Sequence, residues 1–247
     1  MKKWLVSSCI GVLLLISSST VSADPTAIAK AMGNLRWGMS DSDVVSVVKG
    51  DLRKEYTGKI KKAKGMRKRE LKSEYSRRLS AFKKSLEEFN GRSRWDRTSI
   101  GDEYMHDNGE SMMVLEGDKL DSYYFFIDGH LWKWVRTIPA RSLGDFRKFS
   151  RSIEKRFGKG YEKRGETNAG SGREYSFIEY LNRSSRMRAV DRTDRYNEYA
   201  LVFEEMATVR NLTALRPGVV RRRPSRPSRV EKNEAAARRS SGEKARG

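Results

Sequence analysis

Residues 123–135 read YYFFIDGHLWKWV, two apolar runs separated by Asp128-Gly129. An Asp-Gly pair between apolar runs is a strong signal for a two-residue β-hairpin turn. The first run is apolar on both faces, which indicates a central strand. We therefore predict strands over 119–127 and 130–138, with a further strand at 111–116 across the turn at Gly117-Asp118.

A second helix and three more strands follow this hairpin. Ser142 is a good N-cap, and an apolar face at helical spacing runs from Leu143 to Phe157, before Gly158 stops the helix. Residues 159–172 are rich in glycine and charge and are predicted to form a loop. Strands are predicted over 173–181, 186–192 and 195–204, and 205–215 is either a short helix or an extended segment.

The chain before the first strand is predicted to be helical. Ser40, with Asp43 three residues on, has the pattern of a capping box, and Gly50 is a natural stop for this short helix. Residues 51–90 are predicted to form a long charged helical arm that ends at Asn90-Gly91. A break or a helical hairpin near Gly65 remains open. The apolar seam of this arm spans about three heptads, so packing on the body is preferred to a self-associating coiled coil.

These elements predict an α+β fold, with helices packed on an antiparallel sheet. Helix followed by three strands occurs twice, so tandem α-β-β-β units are one arrangement of this fold. The predicted organisation is a signal peptide over 1–23, a first unit over 24–138, a second over 139–215 and a disordered basic tail over 216–247.

The N-terminus has the order of a secretory signal peptide. Lys2 and Lys3 precede an apolar run, and the small-residue exit Val21-Ser22-Ala23 predicts cleavage after Ala23. The product would be exported, to a periplasm or to the medium, with no transmembrane segment in the mature chain. The only cysteine, Cys9, would leave with this peptide. Disulfides, thiolate catalysis and Cys-ligated zinc are therefore excluded for the mature chain.

The net charge of +20 is concentrated in two segments. Residues 51–97 hold 17 Lys/Arg against 7 Asp/Glu, and residues 216–247 hold 11 against 3. In residues 98–215 the charges cancel, 19 against 19. A neutral body with two cationic segments indicates an anionic partner, such as an envelope polymer, a membrane surface, an acidic protein or nucleic acid. The alternative is a solvated charged face that binds nothing specific.

Candidate binding residues follow from this charge pattern. The residues predicted to contact an anionic surface are Lys59, Lys61, Lys62, Lys64, Arg67, Lys68, Arg69, Arg221, Arg222, Arg223 and Arg226. Trp132 and Trp134, two apart on one strand, are expected to share a face. They are either core residues or a stacking surface for sugar rings or bases.

The sequence predicts no catalytic residues and no cofactor. Glu103 and His106 have the i, i+3 spacing of helical carboxylate metal sites, but the second copy and further ligands that such sites need are missing. A polar turn is the alternative to a metal site. A hydrolase of envelope polymers using Asp102, Glu103 and His106 is an alternative function, as is nucleic-acid binding outside the cell.

One resemblance to known families is visible. The pattern consists of Gly38-Met39-Ser40, then Val44 and Val48, then the aromatic strand and Asp-Gly hairpin of 124–131. It resembles the small outer-membrane assembly lipoproteins and the related β-lactamase-inhibitor-like modules. That resemblance implies a helix-plus-sheet domain that works by binding other proteins rather than by catalysis. The chain departs from the pattern by lacking a lipobox cysteine and by its long basic arm.

Overall fold

The computed structural model describes residues 25–167 and 174–216, and it confirms the α+β class. The predicted signal peptide and residues 217–247 of the predicted tail lie outside the described residues. Within the described ranges, six α-helices accompany one antiparallel sheet. The helices are α1 (Pro25–Met32), α2 (Asp41–Lys62), α3 (Gly65–Lys83), α4 (Phe146–Phe157), α5 (Thr193–Tyr196) and α6 (Met206–Leu215).

The sheet consists of two meanders joined edge to edge. Its order is β1-β2-β3-β4-β8-β7-β6-β5, and β4 pairs with β8 in antiparallel register. Each half follows a helical segment and contains four strands, where three were predicted. Because β4 pairs with β8, the two halves predicted to meet at 138–139 share one continuous sheet. The strands are β1 (Glu87–Glu88), β2 (Glu110–Leu115), β3 (Asp121–Ile127), β4 (His130–Pro139), β5 (Tyr161–Thr167), β6 (Glu174–Leu181), β7 (Ser185–Arg192) and β8 (Glu198–Glu205).

The segment 51–90 forms a helical hairpin, the alternative that the sequence left open. The predicted stop at Gly50 is wrong, because α2 runs on to Lys62. Its buried residues Val44, Val48, Leu52 and Tyr56 are four apart, and this stripe passes straight through the glycine. Packing of an apolar face outweighs the modest helical cost of one glycine.

Helix α3 is shorter than the predicted arm. It ends at Lys83, so the predicted stop at Asn90-Gly91 is wrong by about two turns. Leu71 and Phe82 of the seam are buried, but Leu86 lies beyond the helix and is 44% exposed. Phe89 is buried in the cluster on the opposite face of the sheet, because the chain turns there to form β1.

Local signals at the helix ends were partly correct. Ser40 forms the predicted capping box, since it accepts a hydrogen bond from the Asp43 amide while the Asp43 carboxylate accepts one from the Ser40 amide. The predicted cap at Ser142 is wrong. Asp145 caps α4 instead, accepting from the Lys148 amide at 2.8 Å, and Ser142 lies in a 3₁₀ turn.

In the second half of the chain, two strands differ from their predicted bounds. Residues 161–167 form β5, not a loop, because they pair with β6 in spite of their charged sequence. Residues 193–196 form the helical turn α5, and Asn197 adopts a left-handed conformation, so β8 begins at Glu198. Residues 206–215 form a helix, one of the two alternatives for this segment.

Both faces of the sheet are covered. Helices α1 to α4 pack on one face, around Val48, Phe126, Phe149 and Tyr199. The segment between β1 and β2 packs on the other face with the apolar residues of α6, around Phe89, Ile100 and Tyr104. The structure therefore has three layers, with α6 on the face opposite the other long helices.

A β-bulge lies in β4 opposite the β3 aromatic residues. Phe125 pairs with Lys133 and Phe126 pairs with Leu131, so Trp132 is the extra residue. The bulge reverses the alternation of side chains, because an inserted residue shifts the pleat by one position. Trp132 and Trp134 consequently lie on opposite faces of the sheet, in separate apolar clusters.

The first edge of the sheet is closed by the segment that follows α3. Strand β1 pairs with only two residues of β2, Ser111 and Met112. The Ser85 hydroxyl accepts from the Val114 amide at 2.9 Å, and the Phe89 amide donates to the Glu110 carbonyl at 3.0 Å. These contacts satisfy backbone groups of β2 that the short strand β1 does not reach.

Candidate functional site

The α2–α3 hairpin is anchored to the body through Tyr56 and Arg78. Tyr56 of α2 and Tyr75 of α3 are in ring contact, with centroids 5.8 Å apart, and the Tyr56 hydroxyl donates to Glu74 at 2.5 Å. Arg78 donates to the Tyr56 hydroxyl and, through its other terminal nitrogen, to the Glu116 carbonyl beyond β2. These contacts hold the two helices together and attach them to the segment that follows β2.

The far end of this hairpin carries most of its charge. Between Arg53 and Lys72 the sequence has ten Lys/Arg and two Glu. Every predicted binding residue of this segment is exposed: Lys59, Lys61, Lys62, Lys64, Arg67, Lys68 and Arg69. We call these seven residues the basic tip.

Few of these cations have an acidic partner. Lys59 pairs with Glu55 at 2.6 Å, and this hydrogen bond raises the pKa of Lys59. Arg67 pairs with Glu70 at 3.0 Å. The other five residues of the basic tip form no ion pair with any residue that the structure describes. Their charge is therefore available to an external partner.

An apolar residue stands in the middle of the basic tip. Met66 is 75% exposed, the most exposed large apolar side chain among the described residues. It follows Gly65, whose positive φ of 53° forms the turn between the helices. The end of the hairpin thus presents an unbranched apolar side chain surrounded by cations. The other predicted cations, Arg221, Arg222, Arg223 and Arg226, lie outside the described residues.

The tryptophan pair does not form a stacking surface. Trp132 is 1% exposed and Trp134 is 6% exposed, so neither ring is free to stack on a ligand from outside. Trp134 contacts Phe203 with ring centroids 4.9 Å apart. The core alternative is the correct one, and the bulge explains why the expected common face is absent.

Glu103 and His106 do not form a metal site together. The Glu103 carboxylate is buried and accepts from Lys133 at 2.9 Å and from Arg192, whereas His106 Nε2 contacts Asp96 at 2.8 Å. The described residues contain no cluster of three or more groups suited to a metal ion. Asp102 accepts from the Tyr175 hydroxyl. The three residues of the hydrolase alternative therefore have separate partners and face no common space.

Glu103 belongs to a buried charge network that the sequence did not predict. We use this name for Glu103, Lys133, Arg188, Arg192 and Glu204, which lie on the sheet face opposite α1 to α4. Lys133 is 2.9 Å from Glu103 and 3.7 Å from Glu204, and Arg188 donates to Glu204 at 3.2 Å. The signal in the sequence was the alternation of Arg186 and Arg188 along one strand.

The charges in this network shift one another's pKa values. Burial alone would raise the pKa of Glu204, but Arg188, Arg186 and Lys133 lower it to about 2. Burial likewise works against ionisation of Glu103, and Lys133 and Arg192 hold its pKa well below the usual range. Burial lowers the pKa of Lys133, and the two glutamates oppose that shift. All members have partners, so the network is structural and offers no reactive group.

Comparisons with known proteins assign no family. No protein-family model matches this chain, and no curated protein matches it. One similar solved structure is a cysteine-rich secretory protein from Staphylococcus aureus subsp. aureus Mu50, with 10% identity and a TM-score of 0.25. The match covers 41% of this chain and 36% of that protein, so this chain spans about a third of its length. A similarity at that level carries no argument about fold or function.

The described residues also bear on membrane association. None of their helices is both long enough and apolar enough to cross a bilayer.

Proposed function

We propose that this protein is an exported, non-enzymatic binding protein of the cell envelope, and that the α2–α3 hairpin holds it against an anionic surface. The single observation that carries the proposal is the basic tip, with five exposed cations that lack an acidic partner among the described residues. Export is inferred from the signal-peptide pattern of residues 1–23.

The distribution of charge favours a surface over a small ligand. Apart from Lys59, which borders a cavity, the cations lie exposed around the end of two helices, so they can approach a flat anionic layer together. Each Lys or Arg near an anionic membrane contributes about 1 kcal/mol of attraction, and the effect falls off within a Debye length of about 8 Å. Several cations on one projecting end therefore act together, whereas the neutral body contributes little.

Met66 supports a membrane as this surface. An exposed apolar side chain among cations is typical of segments that place a hydrophobic group into the boundary between headgroups and acyl chains. Burial of one methionine side chain contributes about 1.5–3 kcal/mol. Met66 would thus add a component of binding that salt does not weaken.

The resemblance to small outer-membrane assembly lipoproteins and β-lactamase-inhibitor-like modules fits the same proposal. It favours a body that binds another protein, while the hairpin supplies attachment to the surface. The two helix-plus-meander halves around one sheet are consistent with that role.

Vesicle co-sedimentation across a salt series tests the proposal. The full chain should bind vesicles that contain phosphatidylglycerol, bind phosphatidylcholine vesicles weakly, and lose affinity as salt rises. A variant with Lys61, Lys62, Lys64 and Lys68 changed to Gln should bind at least about tenfold more weakly, since four attractive contacts are removed. Met66→Ser should weaken the binding that persists at high salt.

A matched control separates the hairpin from net charge. Arg147, Arg151, Lys155 and Lys159 are exposed at or beside α4. Changing these four to Gln removes the same charge from the body and should leave vesicle binding nearly unchanged. Equal losses in both variants, or equal binding to neutral vesicles, would contradict the proposal. Preference for DNA over vesicles at the same salt concentration would favour the nucleic-acid alternative.

A further inference from the structure

A cavity of about 530 Å³ lies between α2 and the sheet, on the face that the long helices cover. Its apolar wall includes Leu35, Val48, Leu52 and Trp134. Exposed residues of the β2–β3 connection, including Asp118 and Lys119, border it. This volume is within the range of about 300–1,000 Å³ that is typical of small-molecule sites.

Arg136 of β4 lines this cavity without an acidic partner. Its Nε is buried and makes no hydrogen bond, and its guanidinium forms no ion pair with the residues that the structure describes. The guanidinium makes a cation–π contact with the Trp134 ring, whose centroid is 5.3 Å from the guanidinium carbon. Burial lowers the pKa of Arg136, and the neighbouring cation Arg156 lowers it further.

A second donor lies beside Arg136. The indole Nε1 of Trp134 is buried and makes no hydrogen bond of ordinary geometry, and the side chain is 6% exposed. Its nearest polar neighbour is the Tyr124 hydroxyl, whose pKa the indole lowers against the larger effect of burial. Ser122 and Tyr124, whose side chains carry hydroxyl groups, line the same cavity. Buried donors in folded proteins nearly always have an acceptor, so two neighbouring exceptions indicate that an acceptor is supplied from elsewhere.

The carboxylates near the cavity do not supply it. Glu55 lies 2.6 Å from Lys59 and 3.8 Å from Arg78, and Asp51 lies 3.6 Å from Lys54. No carboxylate contributes to the pKa shift of Arg136. Arg136 is partly buried, and a buried N–H such as its Nε is costly unless an acceptor is supplied. The cavity therefore combines an apolar wall with a missing negative charge.

We propose that this cavity binds a small amphipathic carboxylate, with its two oxygens on Arg136 and the Trp134 N–H and its hydrocarbon part against Leu35, Val48 and Leu52. In this arrangement the guanidinium donates a charge-assisted hydrogen bond to one carboxylate oxygen, and the indole N–H donates to the other.

Of the other cations that line the cavity, Lys59 and Arg78 pair with Glu55 and Lys119 is exposed. Arg136 is therefore the cation left for a monoanion. Lys59 of the basic tip also borders this cavity, but the proposed carboxylate contacts are with Arg136 and Trp134, so the site does not depend on the surface-binding proposal.

Calorimetric titration with dodecanoate below its micelle concentration tests the inference. The full chain should bind dodecanoate, bind dodecanol at least about tenfold more weakly because the charge is absent, and bind acetate still more weakly because the apolar part is absent. Arg136→Gln should weaken dodecanoate binding at least about tenfold, and Arg136→Lys should be intermediate. Exposed Arg147→Gln and the four-lysine hairpin variant should bind as the unchanged protein does.

Thermal unfolding provides a second measurement, which also shows whether Arg136→Gln still folds. Dodecanoate should raise the melting temperature of the unchanged protein more than dodecanol does. Arg136→Gln should melt at or above the temperature of the unchanged protein without ligand, because it removes a partly buried cation that has no acidic partner among the described residues. Equal binding of acid and alcohol, binding that survives in Arg136→Gln, or a fall of several degrees in that variant would overturn the proposal.

Discussion

The Glu103 carboxylate lies 2.9 Å from the Lys133 ammonium, and both side chains are almost completely buried. Glu103 comes from the segment between β1 and β2, whereas Lys133 is in the bulge of β4. The Lys133 ammonium also donates to the Glu103 backbone carbonyl at 2.7 Å. This pair therefore ties the end of the 3₁₀ turn at Ser99–Asp102 to the centre of the sheet, and the bulge turns Lys133 toward it.

Glu103→Gln should destabilise the protein by about 3–5 kcal/mol. The substitution leaves Lys133 and Arg192 as buried cations without their carboxylate. Urea denaturation gives the free energy of unfolding, and Glu70→Gln provides the control. Glu70 pairs with Arg67 at the surface, so its loss should cost no more than about 1 kcal/mol. Similar midpoints for both variants would show that the buried pair is not a structural tie.

Stability should fall at acid pH because of the same network. The pKa values of Glu103 and Glu204 are below the usual 4.5 in the folded state. The folded state therefore binds fewer protons than the unfolded state between those values. The stabilisation is complete above about pH 4.5 and is lost as the pH falls toward 2. Urea unfolding from about pH 7 down to about pH 3 measures this, and Glu103→Gln should show a shallower loss. A flat profile below about pH 4.5 would contradict it.

Ser40→Ala should cost about 1 kcal/mol, since it removes the capping box of α2. The effect should be seen as a lower midpoint of unfolding with an unchanged slope. Ser46→Ala is the control, because the Ser46 hydroxyl donates only to the Ser42 carbonyl within the same helix. If the two variants have the same stability, the capping box contributes nothing measurable.

Two glycine-to-alanine substitutions should have opposite signs. A methyl group on Gly160 would lie 2.5 Å from Ile178 Cγ2 and 2.7 Å from a Tyr180 ring carbon, so Gly160→Ala should destabilise by about 1–3 kcal/mol. A methyl group on Gly58 of α2 meets nothing within 4 Å, so Gly58→Ala should stabilise by about 0.5–1 kcal/mol. Melting temperatures of the two variants check the signs, and a stabilised Gly160→Ala would refute the packing argument.

Local sequence patterns predicted the elements whose signals lie within a few residues. The Asp128-Gly129 turn, the Ser40 cap and the amphipathic face of α4 are of this kind, and the structure has all three. Gly50 misled because its local preference for ending a helix competes with burial against distant strands. Strand β5 was predicted to be a loop because its charged sequence does not show that it pairs with strand β6.

The candidate site was predictable only where exposure follows from charge density. The basic tip is such a case, because a run of cations cannot be buried without partners. Arg136 was not predictable, since an arginine in a strand normally has an acidic partner and the sequence does not show which pairs are missing. The prediction that Trp132 and Trp134 share a face was wrong because one extra residue in β4 shifts the later side chains to the opposite face of the sheet.

The closed first edge of the sheet has a consequence for crowding. If the basic tip gathers many copies on one anionic layer, neighbouring bodies meet at high local concentration. An open β2 edge would then offer its backbone groups to the next copy and seed filaments. With β1, Ser85 and Phe89 covering that edge, β2 does not offer its backbone groups to a neighbouring copy.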